Sequence, residues 1–109
     1  AGRAHVIDTM LAADGVDECL GMLPFRNRDL LPGNGETVHL HCTDTEGEWL
    51  VTLAADSPAI ERVHAKGDVA ARGTASDLDL FVWGRVGASA FEVFGDLELL
   101  ERFQAGTRA

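Results

Sequence analysis

Between Ala12 and Leu23, the apolar residues Val16, Cys19, Leu20 and Leu23 fall at i, i+3, i+4 and i+7. That spacing predicts an amphipathic helix with one buried stripe. Asp14, Asp17 and Glu18 stand near its start, where carboxylates suit the helix dipole, and Pro24 ends it. Residues 1–11 show no such period and read as an interdomain linker, which leaves 12–109 as the domain proper. "FRNRDLLPGNGE" follows the helix as a loop broken by Pro32, Gly33 and Gly35.

The period then changes to two. Val38, Leu40 and Cys42 alternate with His39, His41 and Thr43, and Trp49, Val51 and Leu53 alternate with Leu50, Thr52 and Ala54. A hairpin with Asp44–Gly47 as its loop sets Cys42 against Trp49, Leu40 against Val51 and Val38 against Leu53, so all six apolar side chains share one face. Shorter strands are predicted at Ile60–His64 and Val69–Gly73. Ser76, with Asp79 three residues on, reads as the start of a helix whose inward stripe is Leu78, Phe81 and Val82, and Gly84 stops it. "FEVFGD" reads as a strand, after which Asp96 caps a last helix carrying Leu97, Leu100 and Phe103. A run of strands flanked by helices argues for an α+β domain, mainly an antiparallel sheet with helices packed on one face.

Length and charge narrow the function. The 109 residues suffice for one domain, and 46% hydrophobic content gives it a core without staples. Eighteen acids against nine bases leave a net charge of −9, which repels phosphate backbones and anionic lipid and argues against nucleic-acid or membrane partners. No apolar run reaches the ~18 residues of a membrane span. Two cysteines, Cys19 and Cys42, make no disulfide framework and read as buried thiols of a cytoplasmic protein. The chain begins with Ala1 rather than Met, so it reads as a piece of a longer protein.

The chemistry-bearing residues are few. His39 and His41 have the i, i+2 spacing that puts two imidazoles on one face of a strand, a spacing zinc sites use. Zinc wants three or four ligands; His64, Asp44 or Glu48 are candidate thirds, but no spacing compels one, and Cys42 points to the other face. The simpler reading is a half-exposed strand with its imidazoles bonded to neighbours or water. "DTEGE" has too few ligands for a calcium loop and reads as a turn. Arg85 falls seven residues after Leu78, on the same stripe if the helix extends that far. A cation there needs a partner, which the helix C-terminus and an anionic ligand can supply together; the plainer reading is an arginine that reaches to solvent or to Glu92 or Asp96. Phe81, Trp83, Phe91, Phe94 and Phe103 read as core, although a sheet with helices on one face can also enclose an apolar cavity between its layers.

Three stretches, "ETVHLHCTDTEGEWLVTL", "HAKGDVAARGTASDLDLFVWGR" and "FEVFGDLELLERF", resemble the C-terminal domain of the mycothiol-dependent maleylpyruvate isomerase family of actinobacteria. The resemblance runs from about Ala12 to Phe103 and implies a sterol-carrier-protein-like fold that follows a DinB-like helical bundle. It implies that the bundle, not this domain, holds the divalent metal and works with mycothiol, so the domain alone is inactive and no metal is expected at His39 and His41. It further implies that the arginine after "WG", Arg85, contacts substrate across the domain interface. The expected function is therefore that of a substrate-completing accessory domain, partnered by its own N-terminal bundle and possible as a homodimer. The alternative is a carrier that holds an apolar small molecule between sheet and helices.

Overall fold

The alternation of Val38, Leu40 and Cys42 with Trp49, Val51 and Leu53 becomes the inner face of a sheet, and all six side chains are buried. The computed structural model describes residues 2–22, 33–54 and 58–108, with side chains of the first helix from Asp8 and of the last as far as Thr107. The elements are α1 (Gly2–Met22), β1 (Thr37–Cys42), β2 (Glu48–Thr52), β3 (Ala59–Glu61), β4 (Val69–Gly73), α2 (Ala75–Val82), a 3-10 turn at Ala88–Ala90, β5 (Glu92–Gly95) and α3 (Leu97–Arg108). The strands form one sheet in the order β3-β2-β1-β4-β5. Only β1 and β4 pair in parallel; the other three neighbouring pairs are antiparallel. The expected α+β class and mainly antiparallel sheet are thus observed.

All three helices contribute to a single core against the inner face. Val16, Cys19 and Leu20 of α1, Leu78, Phe81 and Val82 of α2, and Leu99, Leu100 and Phe103 of α3 pack with the inner residues of β1, β2 and β4. Trp49, Phe81 and Phe103 are the largest of the fully buried side chains and fill the space between the layers. Both cysteines are buried thiols; burial, followed by the nearby Asp44 charge, pushes the Cys42 thiol up to about 11.

Several expectations change. The first helix extends back to Gly2 through the stretch read as a linker. Helix formation there needs no apolar period, because extending a helix already nucleated at 12–22 adds one backbone hydrogen bond for each residue fixed. Met10 and Leu11 lie exposed on it. The loop predicted at 25–36 lies largely outside the described residues, as do Leu23 and Pro24. Its last part is ordered by Gly35, at φ +94°, whose amide donates to Leu53 O at 2.7 Å. β3 is shorter than predicted and starts earlier. Thr74, not Ser76, caps α2: its hydroxyl accepts from the Asp77 amide at 3.1 Å, while Asp44 Oδ1 accepts from Ala75 N at 2.9 Å. Asp96 caps α3 as expected, accepting from Leu99 N at 3.2 Å, but Leu97 is exposed and Leu99 takes its place inside.

The hairpin differs in register. Leu40 pairs with Trp49, Val38 with Val51 and His41 with Glu48, so the strands are slipped by two residues from the predicted pairing. The loop is Thr43–Glu46, closed by Cys42 N donating to Gly47 O at 2.8 Å. A two-residue slip leaves every side chain on its own face, so the hydrophobic pattern is blind to it. A Cβ on Gly47 would lie 2.9 Å from Cys42 Sγ and 3.0 Å from the Trp49 ring, so only glycine leaves the indole room beside Cys42.

Candidate functional site on the open face of the sheet

The open face is the one the helices leave uncovered. One row across it reads Glu61, Leu50, His39, Ala70 and Phe94, and the next reads Glu48, His41, Arg72 and Glu92. Arg72 and Glu92 pair at 3.4 Å. His39 and His41 share this face because they are two residues apart on β1, and Glu48 joins them because the observed register puts it directly opposite His41.

His64 arrives by topology. β3 and β4 run the same way but stand on opposite sides of β2 and β1, so the 62–68 segment must cross the sheet. Three inter-strand spacings are roughly 14 Å, well within the reach of about seven extended residues. The helices occupy the other face, so the crossing runs over the open one. A Cβ on Gly67 would stand 3.1 Å from His39 N and 3.2 Å from its Cβ, so the segment lies directly on β1. Asp68 fastens its end: its carboxylate accepts from Thr37 N at 2.9 Å, and its amide donates to Thr37 O at 3.0 Å.

Three imidazoles therefore converge on one carboxylate oxygen. Glu48 Oε1 lies 3.0 Å from His39 Nε2, 2.7 Å from His41 Nδ1 and 2.6 Å from His64 Nδ1. The ring centroids are 5.8, 6.1 and 6.3 Å apart, with planes 76–81° from one another. His39 is buried, His41 and Glu48 are half-buried, and the His64 side chain is 82% exposed, so the group opens to solvent through His64. Burial alone would push the Glu48 carboxyl up. Hydrogen bonds from His64, His41 and His39 outweigh it and hold the group down at about 2. Beside the imidazoles lies a cleft of about 340 Å³, lined by His39, His64, Lys66, Asp68, Ala70 and Phe94 among others.

Arg85 stands elsewhere. α2 ends before reaching it, so it does not extend the buried stripe as the spacing suggested; it is exposed. Gly84 at φ +79° turns the chain, with Gly84 N donating to Phe81 O at 3.0 Å and Arg85 N to Leu80 O at 2.7 Å, a Schellman ending. The Gln104 amide clamps the turn from α3 by donating to Phe81 O at 3.1 Å and Val86 O at 2.5 Å. Among the described residues no carboxylate pairs with the guanidinium, so neither Glu92 nor Asp96 is its partner. The structure does not bring Arg85 to the imidazoles: it follows α2 on the helical side of the sheet. His39 and His41 were singled out from their spacing alone. Glu48 and His64 stood only among candidate thirds, because register and crossover, not spacing, deliver them.

No helix of the described residues is long and apolar enough to cross a membrane. Among solved structures the chain is similar to a protein described as "UbiJ-SCP2 Ubiquinone synthesis protein", with a TM-score of 0.60 and 17% identity over 89% of this chain and 93% of that one. It is also similar to part of the stereoselective inverting sec-alkylsulfatase Pisa1 from Pseudomonas sp., with a TM-score of 0.59 and 19% identity over 71% of this chain and 13% of that one. At these identities the likeness establishes the fold, a sterol-carrier-protein-like α+β domain. No sequence among the curated proteins matches the chain. The family described as the MDMPI C-terminal domain matches residues 10–102, and the chain belongs to that family.

Proposed function

We propose that this chain is the accessory domain of a larger mycothiol-dependent, metal-assisted isomerase or thiol transferase. It completes the substrate site while an N-terminal helical bundle holds the catalytic metal and receives the thiol cofactor. Membership of the MDMPI C-terminal domain family supports the accessory role. The observation that carries the reading is Arg85: an exposed guanidinium, unpaired among the described residues of a chain with twice as many acids as bases, on a turn held by a Schellman ending and by Gln104. Its planar fork suits a carboxylate presented from outside the domain. The turn fixes the backbone from which the guanidinium reaches out, so the direction of approach of an anionic substrate is set.

The carrier alternative has less support. Its ligand would sit between sheet and helices, where Trp49, Phe81, Phe103 and the surrounding aliphatic residues are fully buried against one another. An apolar guest there would have to displace them.

The test is turnover of a maleylpyruvate-like diacid by the full-length parent with mycothiol. Arg85→Ala is expected to lower kcat/KM by about tenfold to a thousandfold, the loss of one positioned charge contact. Arg85→Lys should recover little, because a point charge does not replace the fork. Wild-type turnover by Arg85→Ala, with an unchanged melting temperature, would refute the role.

A further inference from the structure

We propose that His39, His41, His64 and Glu48 form a binding site for one divalent transition-metal ion of the zinc class, on the open face of the sheet. It goes beyond the accessory role and does not depend on Arg85. Four potential ligand atoms, three imidazole nitrogens and one carboxylate oxygen, lie within 4.8 Å of one another. That donor set suits zinc and its imidazole-preferring neighbours, whereas calcium and magnesium prefer all-oxygen shells.

The convergence is tighter than a hydrogen-bond network needs. A carboxylate has two oxygens and about four acceptor directions, yet all three imidazoles aim at the same oxygen. Three rings that nearly face one point, mutually steep, are already arranged as ligands around a centre. With metal–nitrogen bonds of ~2.0–2.1 Å, a tetrahedral ion would draw the ring centroids to about 5.2 Å apart, an inward shift of roughly half an ångström per ring. Glu48 Oε1 then moves off the centre and becomes the fourth ligand.

The scaffold is preorganised. His39, His41 and Glu48 stand on adjacent paired strands, so their backbone positions are fixed by the sheet. His64 stands on the crossing segment, which Gly67 and Asp68 hold against β1. It is the most exposed ligand and the natural gate, and the neighbouring cleft leaves room for a small molecule beside the ion. A net charge of −9 raises the local concentration of cations around the domain.

The experiment is zinc titration of the tag-free, chelator-stripped chain, read by calorimetry and by melting temperature, with cobalt(II) as a spectroscopic substitute. One ion per chain is expected, with a higher melting temperature and a tetrahedral cobalt spectrum lacking thiolate charge transfer, since Cys42 lies on the other face. His64→Ala and Glu48→Gln should each weaken binding by about tenfold or more, since loss of even an outer-shell partner of a ligand costs about 10–100-fold. Because the His64 side chain is exposed, His64→Ala should lower the melting temperature of the metal-free protein only slightly, through loss of its bond to Glu48, which separates ligand loss from misfolding. The absence of saturable binding, or affinity unchanged in both variants, would overturn the proposal.

Discussion

The indole nitrogen of Trp49 donates to Asp17 Oδ1 at 2.6 Å, tying the fully buried ring of β2 to the first helix. The other oxygen of Asp17 accepts from Arg62 at 3.0 Å, and Arg62 lies over the Trp49 ring, 5.6 Å from its centroid. Trp49→Ala is expected to cost about 3–5 kcal/mol, as for large aromatic truncations in cores. Asp17→Ala should cost about 1–3 kcal/mol, near the lower end because the carboxylate is partly solvated, by stranding the indole N–H. Urea melts of both variants measure this; a Trp49→Ala cost below about 1 kcal/mol would show that the ring is not a core element.

The start of α2 separates two hydroxyls only two residues apart. Thr74 accepts from Asp77 N, whereas Ser76 is exposed inside the first turn. Thr74→Ala should therefore destabilise by about 0.5–2 kcal/mol. Ser76→Ala should stay within about 0.5 kcal/mol of wild type, as for surface changes away from such features. A larger cost for Ser76→Ala than for Thr74→Ala in thermal melts would mean that the helix starts where the capping-box pattern at Ser76–Asp79 suggested.

Elements whose signal is local were legible in the sequence. β4 falls on Val69–Gly73 as predicted, Asp96 caps α3, and Gly84 stops α2 at the required positive φ. The site was half legible, for a geometric reason. The i, i+2 spacing of His39 and His41 is a property of one strand. The predicted register would have set His41 opposite Leu50 and left Glu48 at the hairpin's end. The observed two-residue slip brings Glu48 to His41 without moving any residue to the other face, so amphipathicity carried no information about it. His64 needed the crossover, which follows from strand order and from no feature of residues 62–68 themselves. Arg85 stood on the buried stripe only if the helix ran past Gly84, and the left-handed turn at that glycine ends α2 first.

Asp79 supplies a pH-dependent test of how α1 and α2 meet. Its Oδ1 is buried without a hydrogen-bond partner among the described residues, and a Cβ on Gly15 would lie 2.3 Å from it, so the carboxylate abuts the α1 backbone. Burial pushes its carboxyl up; a hydrogen bond from Trp83 opposes this, and the Glu18 charge adds to it. A carboxyl raised in the folded state binds its proton more tightly there than in the unfolded chain. Its stabilising contribution is therefore complete below the unfolded value, 3.8, and is lost as pH rises through the folded one. At neutral pH the ionised group is a liability that a side-chain amide removes, while the carbonyl of that amide can still accept from Trp83. Asp79→Asn should accordingly raise the melting temperature at pH 7 by more than it does at about pH 3.5, below the unfolded value, where the folded state favours the proton. A fall at pH 7, or the same shift at both pH values, would show that the charge of Asp79 is compensated in the folded protein.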